Sequence, residues 1–196
     1  MKYAGDQGDP YLDKNSGVLR NLLGITDQAA LDTAESSLSF LRASELIEKP
    51  VIGLFDLPHL QAIHQRLFGD VYDWAGQLRL VEIQKGATAF ARQMVIESAA
   101  GQLFGQLAKE QHLRGLDAQA FSLRAGFYLG EINVLHPFRE GNGRTQREFI
   151  AQLALAAGRC IDWSGIEQPT MVRASIAAYS GDSSQLAHII RLTLRV

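Results

Sequence analysis

Hydrophobic residues recur every three or four positions over most of this chain, the spacing that places side chains on one face of an α-helix. The pattern predicts a first helix from Thr26, a candidate N-cap, to the residue before Pro50, with an apolar stripe of Leu31, Ala34, Leu38 and Leu41. Asp56 and Pro58 open a second predicted helix that runs to a stop at Gly76, with a stripe of Leu60, Ile63, Leu67 and Val71.

The same spacing predicts further helices in the second half of the chain. One has a stripe of Val95, Ala99, Leu103 and Leu107. The next ends just before His136 and has a stripe of Phe121, Ala125, Tyr128 and Ile132. Helices are then predicted over residues 144–157, where Gly158 provides the stop, and over residues 170–180 and 183–194.

One stretch, residues 78–91, changes to a period of two. Apolar and polar side chains alternate there in the order Val81, Glu82, Ile83 and Gln84, ahead of a Lys85-Gly86 pair that suits a tight turn. This alternation predicts a short exposed β-hairpin, the only strand-like piece of the chain.

The N-terminal residues 1–25 are rich in Gly, Asp, Asn and Pro, which predicts an irregular arm lying on the domain surface. The chain has 196 residues, of which 46% are hydrophobic and 20% charged, enough for one domain with a real core. No repeat or linker interrupts it. The predicted fold class is therefore all-α, a single domain over 1–196 that carries one small hairpin.

Composition also limits the partners. The formal net charge of -2 gives no basic excess to hold a polyanion, so nucleic acid is not expected as the main partner. The lone Cys160 can form neither an internal disulfide nor a thiolate metal site, which favours a reducing compartment. No stretch has the length of a signal peptide core or a membrane span, and we expect a cytoplasmic protein.

The residues that are candidates for phosphate binding and catalysis lie between two predicted helices, in residues 135–149. Gly141, Asn142 and Gly143 allow a tight turn, and their N–H groups lie at the start of a helix, where an anion is favoured. Arg144 and Arg147 are three positions apart on that helix and can hold further phosphates from one face. The string predicts a site for several phosphates.

Two more residues complete this site. Glu140 would repel phosphates unless a hard cation intervened, which implies Mg²⁺ held by one carboxylate and phosphate oxygens. His136 can accept a proton near neutral pH and is the candidate base, while Phe138 is expected to anchor the loop in the core. Taken singly, each residue has an ordinary structural explanation, but their combination within twelve residues favours function. The usual GxxxxGK phosphate loop and any GxGxxG after a strand are absent.

The string HPFREGNGRTQR resembles the Fic motif HPFx(D/E)GNGRxxR at every specified position. Resemblance to Fic toxins of bacterial toxin–antitoxin modules extends over most of the chain, including DPYLDKNSGVLRNLLGI, LQAIHQRLFGDVYDWAGQLR and EQHLRGLDAQAFSLRAGFYLGEINVLHPF. The resemblance implies a helical Fic fold and the transfer of AMP from ATP to a Ser, Thr or Tyr hydroxyl of a target protein, with release of pyrophosphate.

Carried over by position, the resemblance implies that His136 deprotonates the target hydroxyl and that Glu140 binds Mg²⁺. Asn142 and the loop amides of Gly141 and Gly143 would hold the α-phosphate. Arg144 and Arg147 would hold the β- and γ-phosphates.

Three finer expectations come from the same resemblance. The hairpin corresponds to a flap whose exposed strand edge pairs with the target, through Val81, Glu82, Ile83 and Gln84. Tyr179 is a candidate adenine contact, with a core tyrosine as the alternative. Gly143 favours AMP transfer over the kinase-like relatives that have lysine there, and Gly141 fits nucleotidyl transfer better than the alanine of phosphocholine-transferring relatives.

Fic enzymes are usually restrained by a helix with the motif (S/T)xxxE(G/N), and no serine or threonine of this chain begins that pattern. We therefore expect a separate small antitoxin whose glutamate approaches Arg147. By resemblance, the targets are subunits of DNA gyrase and topoisomerase IV. The alternative is a non-catalytic module that binds nucleotide or antitoxin without turnover. The other histidines are interpreted as structural or surface residues: His59, His64, His112 and His188.

Overall fold

The computed structural model of the chain describes residues 4–5, 8–86 and 88–195. Helices dominate it, as the apolar spacing predicts. Within the described ranges the α-helices are α1 Gln28–Glu48, α2 Leu57–Phe68, α3 Ile96–Lys109, α4 Ala118–Leu135, α5 Asn142–Ala156, α6 Gln168–Tyr179 and α7 Ser184–Thr193. The predicted all-α class is confirmed.

Helix α4 forms the centre of the core. It packs against α3, α5, α6 and α7, and all four residues of its predicted stripe are fully buried: Phe121, Ala125, Tyr128 and Ile132. Its contact with α7 is close because Gly126 lacks a side chain, and a Cβ there would lie 2.6 Å from the backbone nitrogen of Ala187. His136 follows the last turn of this buried central helix.

Helix α1 begins one residue later than predicted. Its N-cap is Asp27, whose carboxylate accepts the N–H of Ala30, and Thr26 lies outside the helix. The predicted stripe is also only partly correct, because Leu41 is exposed while the polar Glu35 and Ser39 are buried. This face of α1 is polar because it packs against the active-site loop, as described below.

The second helix is shorter than predicted, because α2 ends at Phe68 and the stop expected at Gly76 lies beyond a run of turns. Its N-cap is Asp56, as predicted. In the turns, the rings of Tyr72 and Trp74 stack at 4.3 Å. Residues two positions apart do not face each other on a helix, so this stacking requires the chain to leave helical geometry.

Strands form two small sheets in the described residues. The predicted hairpin consists of β2 Ile83–Lys85 and β3 Thr88–Ala89, with Gly86 in the turn at φ +60°. The prediction that it is the only strand-like piece is wrong. Strand β1, Ala4–Gly5, pairs antiparallel with β2 on the side away from β3, and β4 Cys160–Ile161 pairs with β5 Leu194–Arg195. Strands of two residues have no readable alternation, so only their partners define them.

The described part of the chain contains no helix that is both long enough and apolar enough to cross a bilayer.

Candidate active site

The loop between α4 and α5 reverses the chain through two left-handed residues. His136 ends α4 at φ +44°, and Gly141 precedes α5 at φ +78°. A Cβ on Gly141 would lie 2.4 Å from Cε2 of Phe68, so both conformation and space require glycine there. Gly143 differs from the prediction, because it lies within the first turn of α5 and the tight turn does not depend on it.

The side chain of Asn142 braces this loop. Its Oδ1 accepts the N–H of Phe138 at 2.9 Å, and its Nδ2 donates to the carbonyl of the same residue at 2.7 Å. Asn142 is fully buried, and Phe138 is anchored in the core as predicted. The side chain of Asn142 thus holds the loop in shape, and its backbone N–H lies at the start of α5, where an anion is favoured.

The start of α5 supplies unpaired backbone donors. The first helical hydrogen bond runs from the N–H of Thr145 to the carbonyl of Gly141 at 3.1 Å. The N–H groups of residues 142–144 precede that bond and have no acceptor within the helix. Together with the helix dipole, these donors favour an anion at the position where the sequence analysis expects a phosphate.

His136 is held as a neutral imidazole. Its Nδ1 lies 2.8 Å from the carbonyl of Asn133, which can only accept, so Nδ1 carries the proton and Nε2 has a lone pair. Burial lowers the pKa of His136 from its ordinary value to about 3, opposed by the hydrogen bond to Asn133. The ring of Phe90 stacks on the imidazole at 3.7 Å. The imidazole is therefore in the neutral form that a general base requires.

A second histidine supports the loop from behind. His64 of α2 donates from Nε2 to the carbonyl of Glu140 at 3.0 Å and accepts the N–H of Gly76 at Nδ1. Its ring stacks on that of Phe138 at 3.9 Å. Burial lowers the pKa of His64 to about 3, so it also remains neutral. The sequence interpretation of this histidine as structural agrees with its position.

Arg79 is a site residue that the sequence analysis did not identify. It is 1% exposed and donates from Nε to the carbonyl of His136 at 2.8 Å and from Nη1 to the carbonyl of Val81 at 2.7 Å. Its Nη2 donates to the carbonyls of Ala91 and Leu135. One buried guanidinium therefore ties both ends of the hairpin segment to the residue proposed as base.

The two motif arginines, both expected to hold phosphates, differ in their surroundings. Arg144 donates from Nη2 to Oε1 of Glu35 and from Nη1 to Oγ of Ser39 at 2.8 Å, so α1 holds it. Arg147 makes no side-chain hydrogen bond or ion pair with any residue that the structure describes. Burial, and secondly the charge of Arg144, lower the pKa of Arg147 below its ordinary value. An enclosed cation without a counter-ion is suited to receive an anion.

Along the chain, Glu140 lies between His136 and the two motif arginines. Its Oε1 accepts the N–H of Gly141 at 2.9 Å, which holds the carboxylate beside the start of α5. In the described ranges no group of three His, Cys, Asp or Glu side chains could hold a metal by itself. A single hard oxygen ligand next to a phosphate site fits Mg²⁺ that takes its other ligands from phosphate and water.

The N-terminal arm is fastened to the back of the same loop. Arg139 donates from Nε to Oδ2 of Asp9 at 2.8 Å, and both residues are buried. The other oxygen of Asp9 accepts the N–H of Tyr11 at 2.9 Å. The predicted irregular arm is thus an integral part of the site's support.

The four predicted flap residues fall into two groups. Ile83 and Gln84 belong to β2, whereas Val81 and Glu82 precede it. Glu82 contacts Arg79 at 3.5 Å and accepts the N–H of Gln93, and Val81 is buried, so neither forms part of the strand edge. Gln84 is exposed.

Tyr179, the candidate adenine contact, lies beside the flap and not in the core. It is 38% exposed, and its hydroxyl donates to the carbonyl of Ala89 in β3 at 2.5 Å. The end of α6 is therefore hydrogen-bonded to the hairpin.

Comparison with known proteins gives the same assignment as the motif. The model of a family described as the Fic/DOC family matches residues 54–154. A protein of Bartonella schoenbuchensis named "Protein adenylyltransferase VbhT" is 55% identical over 98% of this chain and 40% of its own length. A protein of Escherichia coli named "Probable protein adenylyltransferase Fic" is 40% identical over 94% of this chain and 92% of its own length. The chain thus spans less than half of the first relative and nearly all of the second.

Solved structures agree on the fold. The BepC protein of Bartonella tribocorum, solved with bound AMPPNP, superposes with a TM-score of 0.90 at 28% identity, over 95% of this chain and 96% of that one. The likeness includes the helical bundle and supports the prediction of a Fic-type fold.

Proposed function

This chain belongs to the Fic/DOC family, and on that basis we propose that it transfers AMP from ATP to a Ser, Thr or Tyr hydroxyl of a protein. The observation that carries the proposal is the juxtaposition of a neutral His136, with a lone pair on Nε2, and the donor-rich start of α5 beside Arg147. Relatives named as adenylyltransferases support the same reaction.

The transfer forms one phosphoester bond and breaks one phosphoanhydride bond. The target hydroxyl oxygen attacks the α-phosphorus, the bond from that phosphorus to the oxygen of the β-phosphate breaks, and pyrophosphate leaves. The hydroxyl proton moves to Nε2 of His136, which is neutral throughout the physiological range because its pKa is low. The N–H groups at the start of α5 stabilise charge on the α-phosphate. Glu140 would hold Mg²⁺, which would neutralise phosphate charge when bound.

A transfer assay tests the proposal. The His136→Ala chain should transfer labelled AMP to a substrate protein ~10²–10⁴-fold more slowly, the usual contribution of a general base. ATP affinity should stay within a few-fold of the original. His188→Ala is the matched control, because His188 is exposed on α7. If His136→Ala labels as fast as the control, His136 is not the base and the alternative, a nucleotide-binding module without turnover, gains support.

We also propose that a separate antitoxin inhibits the chain by directing a glutamate at Arg147. Arg147 lacks a counter-ion among the described residues, and the (S/T)xxxE(G/N) pattern is absent from the sequence. The purified chain with ATP and Mg²⁺ should then label proteins of a bacterial lysate without any activator. Binding of ATP with no labelling would contradict this partner.

The proposed targets are subunits of DNA gyrase and topoisomerase IV, which places the reaction in the cytoplasm. Resemblance to Fic toxins supports this choice. Intact mass spectrometry of the purified subunits after incubation with the chain and ATP should show the added mass of AMP. An unchanged mass for both enzymes, with labelling of other lysate proteins, would remove these targets while leaving AMP transfer in place.

A further inference from the structure

Helix α1 contributes a buried carboxylate to the site from outside the motif. Glu35 is 5% exposed, and each of its oxygens has a partner. Oε1 accepts an N–H of Arg144, and Oε2 accepts the hydroxyl of Tyr72. Burial, followed by the charge of Glu35, raises the pKa of Tyr72, so its hydroxyl stays protonated and continues to donate. The carboxylate is thus fixed at both oxygens.

The guanidinium of Arg144 is in turn held on several sides. Ser39, one turn along α1 from Glu35, accepts a second N–H at 2.8 Å. Cζ of Arg144 lies 4.7 Å from the centre of the Phe68 ring. The same ring occupies the space that a Cβ on Gly141 would need. Helices α1 and α2 therefore fix this cation beside the start of α5, while the side chain of Arg144 remains 30% exposed.

We propose that Glu35 is a positioning residue of the nucleotide site, fixing Arg144 so that its remaining N–H groups meet the β-phosphate. The inference rests on the proposed function, which assigns phosphates to these arginines. A guanidinium that is already ordered loses little side-chain freedom when it binds. Glu35 does not compete with phosphate, because both its oxygens are buried and hydrogen-bonded. Arg144 is then a part of the site that is ordered before the nucleotide binds.

A nucleotide series separates this role from a purely structural one. Calorimetry would measure the affinities of the chain for ATP, ADP and AMP, each with Mg²⁺. The His136→Ala background is used so that no AMP is transferred. Glu35→Gln keeps the size of the side chain and removes its charge. Glu35→Gln should weaken the affinities for ATP and ADP by about tenfold and leave the affinity for AMP unchanged, because a mispositioned Arg144 loses a charged hydrogen bond to the β-phosphate. Tyr72→Phe should shift the affinities in the same direction by a smaller factor.

Glu45→Gln is the matched control, since Glu45 lies on α1 but pairs with Arg42 and Arg66, away from the loop. It should leave all three affinities unchanged, and thermal unfolding should confirm that each variant is folded.

Two results would overturn the role of Glu35. One is an unchanged ratio of ATP to AMP affinity in Glu35→Gln, or in Tyr72→Phe if the first variant does not fold. The other is tighter ATP binding, which would mean that Glu35 competes with phosphate. Arg147→Ala distinguishes failure of the Glu35 role from failure of the proposed function, because this variant should weaken the affinity for ATP but not for ADP or AMP. If it leaves ATP unchanged, the triphosphate site itself is wrong.

Discussion

At the scale of single residues, the two glycines of the active-site loop meet different requirements. Gly141 has φ +78° and faces the ring of Phe68, so any side chain would meet both backbone strain and a collision. Gly143 is helical, and a Cβ there would lie 3.5 Å from Nη1 of Arg147, an ordinary contact. The conformation and packing of the loop thus require glycine at position 141 but not at position 143.

This difference predicts the stability of two alanine variants. Gly141→Ala should lower the free energy of unfolding by ~2–4 kcal/mol, because strain at a left-handed residue adds to displacement of Phe68. Gly143→Ala should leave it unchanged or raise it slightly, since alanine is favoured over glycine in a helix. Urea denaturation measures both. Equal losses in the two variants would contradict the assignment of the turn to Gly141.

The sequence identifies the motif residues as candidates but does not predict which residues support them. The base, the anion site and the loop anchor follow from residues adjacent along the chain. Glu35 and Arg144 are 109 positions apart, and Asp9 and Arg139 are 130 apart. A charged residue inside a polar stretch has the pattern of a solvated surface until its distant partner is known. Burial of these charges depends on tertiary packing, which periodicity does not describe.

At the scale of elements, the hairpin is joined to the catalytic loop through Arg79. The guanidinium donates to carbonyls on both ends of the hairpin segment and to that of His136. Tyr179 adds a second attachment, from α6 to β3. One side chain, that of Arg79, therefore contributes to the position of both the flap and the base.

Replacing that side chain should affect both elements together. Arg79→Met leaves several buried carbonyls without donors, and we expect unfolding to become easier by ~3 kcal/mol or more. AMP transfer should be lost with it, and amide hydrogens of residues 83–89 should exchange faster. Arg92→Met, an exposed position in the same segment, is the control and should change neither measurement. Indistinguishable behaviour of the two variants would show that Arg79 does not join flap and base.

At the scale of the whole molecule, four separate parts of the chain contribute residues that support the active-site loop and the start of α5. Glu35 comes from α1, His64 and Phe68 from α2, Arg79 from the segment before the hairpin, and Asp9 from the N-terminal arm. Stability and the geometry of the site are consequently linked, since the same buried polar groups determine both.

This linkage predicts how stability depends on pH. Burial lowers the pKa of His64 and of His136 to about 3, whereas the unfolded chain binds protons near the ordinary value of ~6.5. Stabilisation from keeping these rings neutral is complete above that value and is lost as the pH falls toward about 3. Each ring should contribute up to ~1.4 kcal/mol per pH unit.

Urea unfolding at pH values between 7 and 5 measures this slope, since most carboxylates stay ionised in that window. His64→Gln should reduce the slope by no more than about half, because His136 and His59, whose pKa is also lowered by burial, still contribute. His188→Gln should not change it. A free energy of unfolding that is independent of pH over this window would mean that the two imidazoles are not held neutral.

The pairing of β1 with β2 has a consequence for any protein that docks on the hairpin. Ala4–Gly5 occupies one side of β2 and β3 the other, so in the described part of this sheet an incoming segment meets an open edge at β1 or β3 and not at β2. A segment that pairs with β2 must displace Ala4–Gly5. The apparent dissociation constant of that segment is then inversely proportional to the fraction of molecules in which Ala4–Gly5 has left β2. A target segment that binds β2 then competes with Ala4–Gly5, and the stability of the β1–β2 pairing determines how strongly this competition weakens binding.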